Sequence, residues 1–195
     1  MTPPRDWNPA KAIVRCPAGP WQGQCWRGHN RLYPAGSYEG SRRFSGRFHR
    51  AADCSASGTV WPALYLAFAE STAILEVARQ YEAGDWPPKN RRFTKLRVRL
   101  ERVIDCSNPA LLALALEDLL KEPDDHDRDP CHHEAWETPR RVAEAALGQG
   151  AEAIIVPSAT RRGNNLIVFP DNLSAASAIE VTDEYFEPRW SRQPA

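Results

Sequence analysis

The sequence predicts a domain of the α+β class, and three stretches of the chain carry that prediction. Apolar residues recur with helical spacing over residues 71–81, and they alternate with charged residues over residues 96–101. Two short apolar runs near the C-terminal end flank a Gly-Asn-Asn turn, which is typical of an antiparallel hairpin. A chain of 195 residues, 42% of them apolar, has room for one domain with a sizeable core.

The two ends of the chain lack this periodicity. Residues 1–20 are rich in proline and predict an irregular N-terminal arm, and residues 186–195 predict a polar tail. The folded domain is therefore expected to span residues 21–185. Within it, residues 21–60 contain many glycines and arginines, so we expect a functional loop that lies over the scaffold.

Regular elements are expected after residue 60. Residues 61–67 are apolar and predict a short buried strand. A helix follows, with Ser71 as its N-cap, and residues 85–88 (Asp-Trp-Pro-Pro) end it. The apolar face of this helix is formed by Ile74, Val77, Ala78 and Tyr81.

Two further helices are predicted in the second half of the chain. Pro109 opens a leucine-rich helix over residues 110–121. Residues 122–138 are acidic and rich in histidine and predict a loop. Pro139 then starts a helix that ends at one of the glycines near residue 150.

The remaining elements are strands. The alternation over residues 96–101 predicts a half-exposed strand. Residues 153–156 and 166–169 form the predicted hairpin around its Gly-Asn-Asn turn, and a last short strand is expected over residues 178–181.

Charge and hydropathy restrict the class of protein. Lysine plus arginine total 25 and aspartate plus glutamate total 25, so the formal net charge is zero. A protein that binds duplex nucleic acid usually has a basic excess. No run approaches the ~20 apolar residues that span a bilayer, and the N-terminus does not resemble a signal peptide, so we expect a cytoplasmic protein.

The cysteine and histidine pattern predicts neither disulfides nor a metal site. The five cysteines are scattered without a CxxC pair. The nearest approach to a metal motif is Cys131-His132-His133, but adjacent histidines rarely bind one zinc ion together. The chain also lacks the glycine-rich motifs of Rossmann folds and P-loops and the nucleophile elbow of α/β-hydrolases.

Arginines and glycines concentrate in two neighbouring segments. Arg27 lies in Cys-Trp-Arg-Gly-His, and Arg43 and Arg47 lie in the stretch from Gly40 to Phe48. Arginine forks bind phosphate oxygens in pairs, and glycine lets the backbone approach a ligand closely. On composition alone, a solvated arginine loop is the better interpretation.

Four other polar residues stand in apolar or turn contexts. Glu76 lies at the edge of the apolar face of its helix, and Tyr65 lies in an apolar strand. Ser158 follows a strand, and Asn165 lies at the hairpin turn. Taken singly, each has an ordinary explanation: a surface carboxylate, a core tyrosine and turn residues.

Taken in order, these motifs resemble the RES domain, a family named for an arginine, a glutamate and a serine. The resemblance covers about residue 25 to about residue 182. It rests on Trp26-Arg27, residues 43–48 (Arg-Phe-Ser-Gly-Arg-Phe), residues 63–67 (Ala-Leu-Tyr-Leu-Ala), Leu75-Glu76-Val77, residues 156–159 (Val-Pro-Ser-Ala) and residues 163–165 (Gly-Asn-Asn).

The resemblance implies a single domain like that of ADP-ribosyltransferases, with a mixed or antiparallel split sheet, flanking helices and a cleft for NAD⁺. It also implies a toxin of a toxin–antitoxin pair that depletes NAD⁺, which is its substrate, and no cofactor. The implied partner is a helical, Xre-like antitoxin that blocks the active site. Nucleic acid would then be reached only through the antitoxin, and no membrane is involved.

The resemblance also implies roles for individual residues. The implied catalytic residues are Glu76, Arg27 and Tyr65. The implied substrate-binding residues are Arg47, Ser158, Arg43 and Asn165. Arg31 is a rival to Arg27, but the spacing to Arg47 favours Arg27. The chain departs from the family pattern at His49, where asparagine is common, and at Ser45, where glycine is common.

The chemistry of NAD⁺ is consistent with a single carboxylate. Nicotinamide is already a cationic leaving group and needs no general acid, unlike an ordinary glycoside. Glu76 could stabilise an oxocarbenium-like ribose, while Arg27 and Arg47 hold the pyrophosphate. Tyr65 could stack on nicotinamide, and Ser158 could bind the ring or the ribose.

Three alternatives remain open. The group that receives the ADP-ribose of NAD⁺ could be phosphate instead of water. It could also be a protein side chain, as in mono-ADP-ribosylation. Arginine-directed transferases often have a second glutamate two positions before the catalytic one, but position 74 is isoleucine. The third alternative is a non-enzymatic nucleic-acid-binding module. Its surface would be formed by Arg42, Arg43, Arg47, Arg50, Phe44 and Phe48.

Overall fold

Two long antiparallel strands organise the structure. They are β1 (Ala18–Asn30) and β3 (Arg91–Asp105), which pair along nearly their whole length in the computed structural model. The structure describes residues 6–52, 59–79, 89–121 and 134–188. Alternation of buried and exposed residues along β3 confirms the predicted half-exposed strand.

Five strands close into a ring, and a sixth lies outside it. The sheet order is β1-β2-β5-β4-β3-β6, and β1 also pairs with β3, so the order returns to its start. The other strands are β2 (Leu64–Ala67), β4 (Ala153–Pro157), β5 (Asn164–Val168) and β6 (Ala178–Phe186). Only the β3–β4 pairing is parallel, which confirms the predicted mixed sheet with its C-terminal antiparallel hairpin.

The inside of the ring is an apolar core. Side chains of successive residues point to opposite faces of a strand, so every second residue of each strand points inward. The inward residues are buried and include Cys25, Leu64, Leu66, Leu96, Val98, Leu100, Ala153, Leu166 and Val168. The ring is therefore filled by its own side chains and leaves the outer face for any ligand.

A second core lies between the ring and three helices. These are α1 (Pro9–Ile13), α4 (Leu116–Leu120) and α5 (Glu134–Gly148). Helix α5 ends as predicted near the glycines. Gly150 has φ +72°, and the N–H groups of Gly150 and Ala151 bond to the carbonyls of Leu147 and Ala146. This is the Schellman pattern that a left-handed glycine permits.

Helix α3 (Glu70–Arg79) packs on the outer face of the ring, next to β1 and β2. Val77 and Ala78 are buried as the periodicity predicts, but Ile74 is only half-buried and Ala73, which was not predicted on the apolar face, is buried. The helix begins one residue before Ser71, so Ser71 lies in the first turn and is not the N-cap. Gly28 of β1 is required at this contact because a Cβ there would lie 2.4 Å from Val77 Cγ2.

The largest difference from the sequence prediction concerns residues 21–60. Residues 21–30 belong to β1 and are not part of a loop. This strand is specified by its pairing with β3, since its own sequence mixes exposed glutamines with glycines and tryptophans. Beyond β1, the segment contains the short helix α2 (Glu39–Arg43) and the isolated bridges Gly46–His49 and Arg50–Trp61.

The predicted irregular arm, residues 1–20, was also wrong over its described part. The Asn8 side chain caps α1 by accepting a hydrogen bond from the Lys11 N–H (3.1 Å), and Ile13 is fully buried. Trp7 donates its indole N–H to the carbonyl of Leu112 (2.8 Å). A proline-rich sequence is therefore ordered by burial of a few large side chains.

The two predicted helices of the second half have different bounds. Residues 109–112 form a 3₁₀ turn that ends at Ala113, which has φ +56°, before α4 begins. A left-handed residue interrupts the helix that the leucine pattern predicts. Helix α5 begins before Pro139, so residues 134–138 are helical and are not loop.

Several predicted features lie outside the described residues. They are Tyr81, the helix-breaking residues 85–88, most of the acidic loop, Cys131-His132-His133 and most of the C-terminal tail. In the part of the chain that is described, no helix is long and apolar enough to cross a membrane.

Strand β6 pairs with β3 through an antiparallel backbone ladder, and ion pairs join the side chains of the two strands. Its residues are largely exposed, and acidic side chains of β6 and Glu187 face basic ones on β3. The pairs are Glu180–Arg97 (3.2 Å), Glu184–Lys95 and Glu187–Arg92 (2.7 Å). Such pairs contribute little individually and are screened by salt.

Glu152 is a buried carboxylate that ties three segments together. It is 3% exposed. Oε2 accepts hydrogen bonds from the Glu101 N–H (2.6 Å) and the Ser177 hydroxyl (2.7 Å), and Oε1 accepts one from the Ser174 N–H (2.8 Å). Burial acts to raise the pKa of Glu152, but the hydrogen bonds from Ser177, Ser174 and Glu101 outweigh it and hold the pKa below its usual range.

Glu152→Gln should lower the free energy of unfolding at pH 7 by about 2–3 kcal/mol, because an amide N–H would face backbone N–H donors. The folded-state pKa is depressed, so the stabilisation is complete above the unfolded pKa of about 4.3 and is lost as pH falls through the folded value. Urea unfolding at several pH values would measure both effects. Glu101→Gln, at an exposed side chain, is the matched control. If the free energies of unfolding of wild type and Glu152→Gln differ by the same amount at all pH values, the lowered pKa assigned to Glu152 is wrong.

Candidate functional site

Three hydrogen bonds fix the carboxylate of Glu76 on the outer face of the ring. Glu76 Oε1 accepts bonds from Ser158 Oγ (2.7 Å), Asn165 Nδ2 (2.7 Å) and the Ala159 N–H (3.0 Å). All three donors belong to the β4–β5 hairpin. Within the described residues, Oε2 of Glu76 has no hydrogen-bond partner, so one oxygen is anchored and the other is available.

The hairpin turn is built to present these donors. Thr160 donates its N–H to Ser158 Oγ (3.1 Å), and its hydroxyl lies 2.7 Å from the same oxygen. Because Ser158 donates its own hydrogen to Glu76, the Thr160 hydroxyl is the donor in that second contact. Thr72 of α3 donates to the carbonyl of Arg162 (2.8 Å), and Gly163, with φ +78°, packs against the same side chain. Two successive residues of the turn thus lie against one side chain of α3.

Tyr65 lies on the same outer face, on β2. Its hydroxyl accepts the Phe48 N–H (2.9 Å) and lies 2.9 Å from Nδ1 of His49. The other ring nitrogen of His49, Nε2, lies 2.7 Å from the Phe44 carbonyl. Burial raises the pKa of Tyr65 to about 12, so the phenol stays protonated at neutral pH.

Arg47 lies beside this group, in the segment between α2 and β2. Burial lowers its pKa, and the neighbouring Glu76 and Tyr65 partly counteract that effect, while Arg79 adds to it. Arg47 therefore places a half-buried positive charge within electrostatic reach of the Glu76 carboxylate. Its chain neighbour Gly46 is held by Arg140 of α5, whose Nε donates to the Gly46 carbonyl (3.0 Å).

Arg27 and Arg43 do not join this cluster through any contact of the described residues. Arg27 is half-buried on β1, and its guanidinium donates to the Ala35 carbonyl. Burial lowers the pKa of Arg27 to about 10, so it remains a cation at neutral pH. Arg43 is exposed at the end of α2. The rival Arg31 is exposed and forms an ion pair with Glu187 (3.5 Å).

The structure therefore brings together five of the seven residues singled out from the sequence: Glu76, Tyr65, Arg47, Ser158 and Asn165. Ser158 and Asn165 contact the carboxylate itself. Asn165 is 9% exposed, and its Oδ1 is buried without a hydrogen-bond partner in the described part of the chain.

Sequence reasoning missed Arg140 and Thr72 and gave His49 no role. Arg140 is 1% exposed although it is charged. Its signal was available, because it lies three residues before the buried Ala143 on the inner face of α5. The two departures from the family pattern both hold the arginine segment: His49 bonds to Phe44, and Ser45 Oγ accepts the Ala51 N–H (2.8 Å).

No cluster of histidine, cysteine or acidic side chains that could hold a metal ion occurs among residues 6–52, 59–79, 89–121 and 134–188. The predicted site is thus formed by one carboxylate, arginines, hydroxyls and an amide. This set of groups suits a ligand that carries positive charge at one place and negative charge at another.

The family model of the RES domain matches residues 24–191. The chain belongs to the RES domain family. The match covers all the residues around Glu76, so the site belongs to the RES domain and not to an appended segment. No curated protein sequence matches the chain.

A solved structure with a similar fold is the crystal structure of the M. tuberculosis MbcT–MbcA toxin–antitoxin complex. One of its chains aligns with this RES domain at a TM-score of 0.64 and 20% sequence identity, covering 91% of this chain and 90% of that chain. At this identity the likeness shows the fold, a mixed sheet with flanking helices.

Gly46→Ala tests how tightly the arginine segment is packed in this RES domain. A Cβ on Gly46 would lie 2.5 Å from His49 Cε1 and 3.2 Å from Tyr65 Oη. We expect a loss of about 1–3 kcal/mol in the free energy of unfolding, as is typical of overpacking. Gly40→Ala in α2 is the matched control, because nothing lies within 4 Å of its added Cβ. Equal stabilities of the two variants in urea unfolding would show that the arginine segment can shift to accommodate the added Cβ and is not tightly packed.

Proposed function

We propose that this RES domain is the toxin of a toxin–antitoxin pair and that it cleaves the nicotinamide–ribose bond of NAD⁺. One observation carries the proposal: Glu76 has one oxygen anchored by three hydrogen bonds and the other without a partner among the described residues. A carboxylate that is held rigidly and still has an available oxygen can stabilise positive charge as that charge develops, with little reorganisation.

The reaction needs no group that the site lacks. The bond between ribose C1′ and nicotinamide N1 breaks, and its electron pair leaves with nicotinamide, which becomes neutral. The positive charge that develops on the ribose faces the available oxygen of Glu76. A water oxygen then bonds to C1′, and its proton passes to Glu76 or to solvent.

The arginines supply the counter-charges for the pyrophosphate. Arg47 lies within electrostatic reach of Glu76, and in this scheme it binds the phosphate end of the ligand. Arg27 is a half-buried cation, and no carboxylate among the described residues forms an ion pair with it. Charges that lose part of their hydration are normally paired, so we assign an anionic ligand as the partner of Arg27. Arg43, exposed at the end of α2, is an outer phosphate contact in this scheme.

The other site residues have supporting roles. Ser158 and Asn165 hold Glu76 and act on the substrate through it. The Tyr65 hydroxyl already makes two hydrogen bonds, so the part of Tyr65 that remains for nicotinamide is its ring face.

Water or phosphate is favoured as the acceptor over a protein side chain. Ile74, at the position of the second glutamate of arginine-directed transferases, packs against the apolar group of Ala73, Val77 and Phe93.

A nucleic-acid-binding module is less well supported. Arg42 pairs with Asp171 (2.7 Å), and Arg50 lies over the Trp61 ring (5.6 Å), so these side chains do not form an open basic surface.

The decisive experiment incubates purified protein with NAD⁺, with and without phosphate and with a mixture of proteins as acceptors. Wild type should release nicotinamide. Glu76→Gln keeps the shape of the side chain and the anchored oxygen but removes the charge, so kcat should fall by about 10²–10³ while NAD⁺ binding persists.

Glu70→Gln, at the exposed start of the same helix, is the matched control and should leave kcat unchanged. Intact NAD⁺ after hours with micromolar wild-type protein in all three mixtures would refute the proposed activity. A folded Glu76→Gln protein with normal kcat would remove Glu76 from the mechanism.

The proposed partner is a helical, Xre-like antitoxin that covers the arginine segment and the cleft. The relation to the MbcT–MbcA complex and the harm that free NAD⁺ cleavage would cause support this partner. Expression of wild type alone should arrest bacterial growth and deplete NAD⁺, and co-expression of the protein encoded beside it should restore growth. Glu76→Gln at the same level is the control. If cells expressing wild type and Glu76→Gln grow equally well, the protein is not a toxin.

A further inference from the structure

The hydrogen bonds around His49 determine where its proton lies. Nε2 is 2.7 Å from the Phe44 carbonyl, which can only accept, so Nε2 carries the hydrogen. In the neutral ring Nδ1 is then an acceptor, and the Tyr65 hydroxyl donates to it across 2.9 Å. The same hydroxyl accepts the Phe48 N–H, so both of its hydrogen-bonding functions are used.

This chain of hydrogen bonds fixes the segment on both sides of Arg47. Before Arg47, the Phe44 carbonyl is held by His49, and the Gly46 carbonyl is held by Arg140. After Arg47, the Phe48 N–H is held by Tyr65, and the Phe48 carbonyl accepts the Trp61 indole N–H (3.1 Å).

Residues 44–48 are also packed closely against the His49 ring. A Cβ on Gly46 would lie 2.5 Å from His49 Cε1, so the histidine ring fills the space beneath Gly46. The ring is 6% exposed and meets the Tyr65 ring edge to face, with centroids 5.5 Å apart. A buried, well-packed histidine with an assigned tautomer is suited to holding a backbone, because it cannot turn without breaking two hydrogen bonds.

We infer that His49 is a positioning residue for substrate binding. By accepting the hydrogen of Tyr65 and donating to Phe44, it sets the course of residues 44–48 and so the position of the Arg47 guanidinium that receives a phosphate oxygen. The inference rests on the proposed function for its substrate. The acceptor at the position of Nδ1 is the feature that matters, because it orients the hydroxyl that binds Phe48.

Two variants test the roles of the two ring nitrogens of His49 separately. His49→Asn places an amide oxygen near the position of Nδ1 and keeps an acceptor for Tyr65. His49→Gln places its amide near Nε2 and can keep the contact with Phe44 but leaves Tyr65 without its acceptor. An unsatisfied buried hydroxyl is costly, so His49→Gln should raise the KM for NAD⁺ about tenfold with kcat within about twofold of wild type. His49→Asn should keep KM within about threefold.

A double variant tests whether His49 acts through Tyr65. Tyr65→Phe fills nearly the same volume and removes the hydroxyl, so it should raise KM as His49→Gln does. If both act through one hydrogen bond, the double variant should raise KM no further than the single variants. Multiplication of the two effects would overturn the inference, as would equal KM values for His49→Asn and His49→Gln. Should His49→Gln not fold, the split between KM and kcat in Tyr65→Phe decides the question.

A measurement without turnover separates this inference from the proposed function. Nitrogen-15 NMR of labelled histidine should show His49 protonated at Nε2 and unprotonated at Nδ1, with its signals assigned by their loss in His49→Asn. A ring protonated at Nδ1 would overturn the inference even if NAD⁺ is cleaved. If the expected tautomer is found but wild type leaves NAD⁺ intact, the hydrogen-bond chain stands and the proposed substrate is wrong.

Discussion

Closure of five strands into a ring is the constraint on which the rest of this RES domain depends. A closed ring of this size is filled by its own side chains, which in the described part of the chain are mostly leucine and valine. The alternation of strand side chains then places every second residue of β2 and β5 on the outer face. Tyr65 and Asn165 project outward because Leu64, Leu66, Leu166 and Val168 point inward. Helix α3 packs on that outer face and brings Glu76 to the hairpin.

The elements that sequence could predict are those with their own periodicity. Helix α3 and the β4–β5 hairpin carry apolar patterns that do not depend on partners far along the chain, and both were predicted. Strand β1 has no such pattern. Its exposed glutamines and its glycines are ordered by pairing with β3, about 70 residues away, and single-sequence reasoning cannot detect that pairing. The left-handed Ala113 and the internal Pro139 of α5 are likewise permitted by tertiary packing against local preference.

The same distinction between local sequence patterns and long-range contacts applies to the candidate site. The family pattern identified Glu76, Tyr65, Ser158 and Asn165, but it did not indicate that the serine and the amide contact the carboxylate. Nor did it indicate that the tyrosine hydroxyl binds the backbone of the arginine segment. These relations depend on which atoms meet across strands, and spacing along the chain contains no such information. Arg140 shows where the limit lies: its spacing from Ala143 indicates the inner face of α5, but it does not indicate that the guanidinium donates to the Gly46 carbonyl.

The distance along the chain between Glu76 and its three donors has a consequence for protein synthesis. The donors follow Glu76 by 82, 83 and 89 residues, and β5 is the last strand needed to close the ring. A nascent chain on the ribosome therefore carries the carboxylate long before it has the groups that fix it. Chains that end before the hairpin should lack the fixed carboxylate, and a frameshift anywhere up to the hairpin should abolish this arrangement. In this RES domain the carboxylate of Glu76 is therefore fixed only after β5 has been synthesised and the ring has closed.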